Sequence, residues 1–112
     1  MQKSKVYITR IPARMDDNVW VPTFDISPAK EFGELEIILP MGLNFINTEQ
    51  YQPRMATCLG NFKMETDYLL ALSDPSLIVV AGALLGSRLP WFNILVWDRN
   101  LKRYFPHKVR TV

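Results

Sequence analysis

Residues 67–87 read DYLLALSDPSLIVVAGALLGS, and this stretch decides the fold. Asp67 to Leu72 is a short, nearly unbroken apolar run, the pattern of a strand covered on both faces. Ser73-Asp74-Pro75-Ser76 follows as a helix start. Asp74 is placed to cap, and Pro75 sits in the first turn, where its missing N–H leaves no bond unmade. The helix is predicted from Pro75 to about Ser87. It is apolar nearly all round, which predicts packing on more than one side, and Gly82 and Gly86 would allow close approach to a sheet.

The same reading extends outward in both directions. Phe92 to Trp97 (FNILVW) is a strand, Asp98-Arg99-Asn100 a tight turn, and Leu101 to Val109 an antiparallel return. Upstream, Met55, Ala56 and Leu59 lie at helical spacing in a segment that starts near Gln52 or Pro53 and stops at Gly60-Asn61. Glu34 to Leu39 (ELEIIL) reads as a strand closed by Pro40 and Gly42. Ser27, followed by Pro28, caps a helix of about one turn that ends at Gly33. Lys5 to Ile11 (KVYITRI) alternates Val6 and Ile8 with Tyr7 and Thr9, a first strand ended by Pro12. Ala13 to Thr23 reads as irregular, with a turn at Asp16-Asp17-Asn18 and a short extended VWV before Pro22.

From residue 34 the order is strand, helix, strand, helix, strand, strand. Such alternation calls for parallel strands joined by right-handed crossovers, with the final hairpin adding an antiparallel edge. The first strand must join the same sheet to bury its apolar face. The expected fold is a small single-domain α/β sandwich over residues 1–112. It has a mixed sheet of about five strands, two main helices and a C-terminal β-hairpin.

Composition narrows the function classes. The chain has 112 residues, 48% of them hydrophobic and 21% charged, which excludes a wholly disordered chain. Cys58, the only cysteine, excludes an internal disulfide framework and a thiolate metal cluster, and its neighbours predict a buried, inert thiol. His107, the only histidine, excludes a multi-histidine metal site. The longest apolar run, Leu77 to Gly86, is half the roughly 20 residues a spanning helix needs. A cytoplasmic protein without a membrane partner is expected. The glycines form no phosphate-binding fingerprint and no G-x-S-x-G elbow exists. No catalytic residue, metal or cofactor is assigned.

Charge is segregated along the chain. Residues 1–14 carry Lys3, Lys5, Arg10 and Arg14 and no acid. Residues 88–112 carry six cations against Asp98, and residues 15–87 carry ten acids against Lys30, Arg54 and Lys63. Were the first and last strands neighbours, their cations would form one surface steering an anionic partner. The candidate partner-binding residues are Trp97, Arg99, Lys102, Arg103, Tyr104 and Lys108. Aromatic rings among cations suit a protein interface, and equally suit bases and phosphates. They also fit a plain structural role, with Trp97 and Tyr104 as a cross-strand pair and the cations guarding a sheet edge. A second candidate is the strand-to-helix loop at Ser73, Asp74 and Ser76, where open α/β sheets bind ligands. There Asp74 and Pro75 weaken anion binding, so capping is the competing role.

Several stretches resemble a family. Val21-Pro22-Thr23-Phe24-Asp25-Ile26-Ser27-Pro28-Ala29, then Phe32-Gly33-Glu34 and Leu39-Pro40, are similar to small uncharacterised proteins encoded by tailed bacteriophages. So are Asp67-Tyr68-Leu69-Leu70 with Asp74-Pro75, and Leu95-Val96-Trp97-Asp98-Arg99 with Tyr104 and Pro106. The resemblance covers the chain from about residue 5. It carries no activity and no catalytic residue. It implies a setting in the cytoplasm of an infected host cell and an accessory role on host or phage macromolecules. Glycine is the family's expected residue at Ser73, which weakens the case for a ligand at that loop. The expectation is a non-enzymatic protein that binds a protein partner through its basic, aromatic C-terminal hairpin. The alternatives are nucleic-acid binding by the same face and a small enzyme or metabolite binder at the Ser73–Ser76 loop. The hairpin edge also admits a homodimer.

Overall fold

The computed structural model describes residues 3–41, 47–72 and 74–112. Among these residues seven strands form: β1 (Lys5–Ile8), β2 (Ala13–Asp16), β3 (Val19–Pro22), β4 (Glu34–Ile37), β5 (Tyr68–Leu70), β6 (Trp91–Asp98) and β7 (Arg103–Arg110). The helices are α1 (Gln52–Leu59) and α2 (Pro75–Gly86), with 3-10 turns at Ser27–Glu31 and Thr48–Gln50. The main sheet has the order β4-β1-β5-β6-β7, its first four strands parallel and β7 antiparallel to β6. This is the expected five-stranded mixed sheet with two helices and a terminal hairpin.

Burial explains the order. In β5, Leu69 joins the core on the helix side and Leu70 the core on the opposite side, as an apolar run covered on both faces requires. The helix-side core takes Met55 and Leu59 from α1, and Leu77, Ala81 and Leu85 from α2, each set one turn apart. Among the described residues, no α-helix covers the other face. Ala29, Phe24, Ile26 and Phe32 of the arm joining β3 to β4 close it over Val6, Ile8 and Leu95. Gly33 lets that arm pass β1, since a Cβ there would lie 2.5 Å from the Ser4 carbonyl oxygen.

Several local readings need correction. β1 is not half-exposed. It lies inside the sheet, and Val6, Tyr7, Ile8 and Thr9 are all buried. In Ala13–Thr23 the turn and the extended VWV stand, but the stretch is not irregular: β2 and β3 pair as a two-residue hairpin whose turn residues, Asp17 and Asn18, have φ of 47° and 63°. Both side chains tolerate the left-handed region, so the pair supplies a type I′-like turn without glycine. Ser27 does not cap its 3-10 turn. Ile26 holds the cap position, and the Asp25 carboxylate accepts the Ser27 N–H at 2.9 Å. The Asp74 side chain makes no cap bond to α2 and pairs with Arg10. α2 packs on α1 and the sheet, but its outer face stays open, with Val79 69% exposed. Gly82 approaches nothing, because a Cβ there would meet no atom within 4 Å, and Gly86 lies beside the Thr111 side chain. Cys58 is half-buried against the helix-side core rather than buried. Among the described residues, no helix is long and apolar enough to cross a membrane.

Candidate functional site

The β6–β7 hairpin carries most of the residues singled out above, and its backbone register sorts them. Trp97 faces Tyr104, Leu95 faces Pro106, and Asn93 faces Lys108 on one side of the sheet. Val96 with Phe105, and Ile94 with His107, fall on the helix side. Trp97 and Tyr104 meet edge to face, 4.9 Å between centroids, and Phe24 meets Trp97 edge to face at 5.6 Å. Tyr104 is buried and Trp97 half-buried, so these two rings are joined to the core. Burial is the main reason the Tyr104 phenol titrates above its ordinary range, followed by the charge of Asp25. Its hydroxyl has no hydrogen-bond partner among the described residues.

The tip is built differently. The Asp98 carboxylate accepts N–H bonds from Asn100 and Leu101, both 2.9 Å, and Lys102 adopts φ 52°. The connection is therefore four residues, Arg99 to Lys102, longer than a tight three-residue turn. It holds Arg99, Lys102 and the 64%-exposed Leu101 out in solvent. Arg103 pairs with Glu31 at 3.2 Å, both side chains more than half exposed, and stands 5.3 Å from the Phe105 ring centroid. An open groove of about 490 Å³ runs beside the tip, lined by Val96, Trp97, Leu101, Phe105, Pro106 and His107, with Asp98 at its end. Of these, Leu101 carries no signal in the sequence, whereas Phe105 belongs to the aromatic and cationic cluster of the hairpin and His107 stands out as the only histidine. The signal available was the alternation of β7, which turns Phe105 and His107 together. Lys108 is not at the tip. Its ammonium sits 4.2 Å from the Trp91 ring centroid, near the far end of the hairpin.

β7 is an edge strand, and its exposed backbone is interrupted. Leu95 gives its carbonyl to the Ala71 N–H on the β5 side. Its opposite residue, Pro106, therefore directs its backbone away from β6 toward the open edge. The middle of that edge lacks a donor, which blocks strand addition there. What the hairpin offers a partner is its side chains.

The cations do not form one surface. β1 and β7 share the sheet, but β5 and β6 lie between them. Lys3 and Lys5 stand at the start of β1, Arg14 lies on the β2–β3 ribbon, and Arg10 is engaged with Asp74 beyond the end of β1. Arg88 turns inward and donates to the Leu59 and Phe62 carbonyls at 2.7 and 3.2 Å.

The second candidate lies where the strand order reverses. Chain order takes β1 to β4 on one side and then to β5 on the other, so the C-terminal ends of β1 and β5 flank a switch point. Arg10 and Asp74 meet there, and the buried Thr9 hydroxyl beside them has no partner among the described residues. Ser76 is exposed in the first turn of α2. Ser73 lies outside the described residues. The Arg10–Asp74 pair engages a cation at this position with the loop's own carboxylate.

A family model described as Phage Pam3 gp32-like protein matches residues 4–111. No curated protein and no solved structure matches the chain.

Proposed function

The chain belongs to the Phage Pam3 gp32-like protein family, and we propose that it is a non-enzymatic phage accessory protein that docks on a host or phage protein through its C-terminal hairpin. The observation that carries this reading is the groove beside the hairpin tip. It has an apolar lining from Val96, Leu101 and Phe105 with Asp98 and His107 beside them, and Arg99, Lys102 and Arg103 are the chain neighbours of its lining residues at the tip. An apolar centre with a cationic rim suits a protein surface that carries acids around an apolar anchor. Pro106 favours docking by side chains over extension of the sheet, and this also argues against a homodimer made by pairing two β7 edges. Within the proposed site Arg99, Lys102 and Arg103 are contact residues. Trp97 and Tyr104 hold the hairpin's shape from inside, and Lys108 lies outside the contact.

The test is affinity capture from infected host cells, with and without nuclease, using the native chain, a triple variant and a core control. The triple variant Arg99→Glu, Leu101→Ala, Lys102→Glu should lose a partner that the native chain and the Tyr104→Phe control both retain. Retention by the triple variant would overturn the site. A partner lost on nuclease treatment, with affinity that falls steeply with salt, would replace this reading with nucleic-acid binding.

A further inference from the structure

At the opposite end of the sheet from the hairpin tip, a cleft of about 280 Å³ is lined by Lys3, Lys5, Lys63, Asn61, Tyr7 and Asp67. We propose that it is a binding site for a phosphate group, inorganic or carried by a small molecule. The inference goes beyond the hairpin reading and does not rest on it.

Asp67 organises the cleft. It is 2% exposed and accepts the backbone N–H of Lys5 at 2.9 Å, the backbone N–H of Lys63 at 2.8 Å and the Thr66 hydroxyl at 3.1 Å. One buried carboxylate thus fixes the backbone of two of the three lysines, and both its oxygens are occupied in doing so. None of the three ammonium groups has an ion-pair partner among the described residues. Three like charges around so small a volume repel one another, and an anion among them removes that cost. The neutral members add donors. Asn61 is exposed at the rim, and Tyr7 lines the wall with a hydroxyl that makes no hydrogen bond among the described residues. Burial, then the charges of Asp67 and Glu36, keep that phenol protonated well past neutrality, so it remains a donor. Ammonium, amide and hydroxyl donors converging from several elements suit a tetrahedral oxyanion better than a planar carboxylate, which offers two oxygens in one plane. With three lysines against one carboxylate in the lining, attraction grows in proportion to the ligand's charge, so a phosphate dianion gains more than a monoanion.

The experiment is an NMR titration of the full chain at low ionic strength with inorganic phosphate, and with chloride at matched ionic strength as the reference. Separate arms use a small phosphomonoester and a short single-stranded oligonucleotide. Saturable shifts at Lys5, Asn61 and Lys63 are expected, with a dissociation constant in the millimolar range. The double substitution of half-buried Lys5 and exposed Lys63, Lys5→Gln with Lys63→Gln, should weaken phosphate by about tenfold or more, and Tyr7→Phe by a few-fold, with the native fold retained in the spectra. Tighter binding of the phosphomonoester than of phosphate identifies a phosphorylated small molecule as the source, and equal binding identifies the free ion. Shifts that chloride reproduces, or a double variant with unchanged affinity, would overturn the proposal. So would an oligonucleotide that binds far more tightly than either small anion.

Discussion

Replacing Tyr104 with phenylalanine separates a core role for this ring from a contact role. The side chain is 1% exposed, meets Trp97 edge to face and has a hydroxyl without a hydrogen-bond partner among the described residues. An unpaired buried hydroxyl costs about 1–3 kcal/mol relative to a hydrated one. Phenylalanine keeps the ring and removes that cost, and the void left by one oxygen returns part of it. A net gain of about 1 kcal/mol is expected, which for a domain of this size raises Tm by about 4 °C.

The same substitution changes the alkaline limb. The folded-state pKa of Tyr104 is raised by burial and by Asp25, above the unfolded value of about 10. Below pH ~10 both states hold the proton, and the contribution to stability is fully present. As pH rises further the unfolded chain releases its proton while the folded chain keeps it. Stability then falls by about 1.4 kcal/mol per pH unit for each such tyrosine. Tyr7, raised by burial and then by Asp67, adds a second contribution of the same sign. Tyr104→Phe should leave only the Tyr7 part of this slope. Urea denaturation at neutral pH and across the range from about pH 9 to about pH 11 measures both effects. A loss of about 1 kcal/mol or more at neutral pH would mean that the hydroxyl is paired. An unchanged alkaline slope would refute its burial.

Other substitutions test the packing that positions the two sites. Gly82→Ala fills open space in a helix interior and should stabilise by about 0.5–1 kcal/mol in thermal melts. Gly33→Ala places a methyl 2.5 Å from the Ser4 carbonyl oxygen and should cost at least about 3 kcal/mol, read as a lowered urea midpoint with an unchanged m-value. Asp67→Asn swaps one acceptor for an NH2 group facing a backbone N–H, and a loss of about 2–3 kcal/mol is expected by the same assay. Arg88→Met removes two bonds to carbonyls at the end of α1 and should cost about 1–2 kcal/mol, with faster amide exchange confined to residues 59–63.

The parallel core was legible because its signals are local and strong. The run from Asp67, the proline after Asp74 and the length of the following apolar segment each allow few alternatives, and β5 and α2 fall where they indicate. Val19-Trp20-Val21 and the turn before it are legible, but β2 and its pairing with β3 are not, because the strands are largely exposed, with Met15 53% and Val19 60% accessible, and no half-buried alternation marks them. β1 was placed in the right sheet but read as half-exposed, since Tyr7 and Thr9 look polar in a sequence while the body of a tyrosine packs as a hydrophobe. Asp74 was read as a cap because its position is right. Its partner Arg10 is 64 residues distant and reaches it only once β1 and β5 are paired. The groove residues Leu101, Phe105 and His107 become a group only when the turn length sets the register of β7.

Charge shows the same dependence on topology, with a consequence for function. Cations at both ends of the chain suggest one basic face, but the sheet places the first strand inside and the last at the rim. The lysine cleft lies at the starts of β1 and β5, and the hairpin tip lies past the end of β6, which runs parallel to them. β6 has eight residues, so the two regions are separated by roughly 26 Å along the strands. That exceeds the Debye length of about 8 Å at physiological ionic strength, so their fields are screened from one another. Neither region then strengthens the other by simple electrostatics. A long anionic polymer could bridge them, whereas a phosphate group and an acidic protein surface would each occupy one and ignore the other. The separation is the physical reason for assigning the two ends of this sheet to different partners.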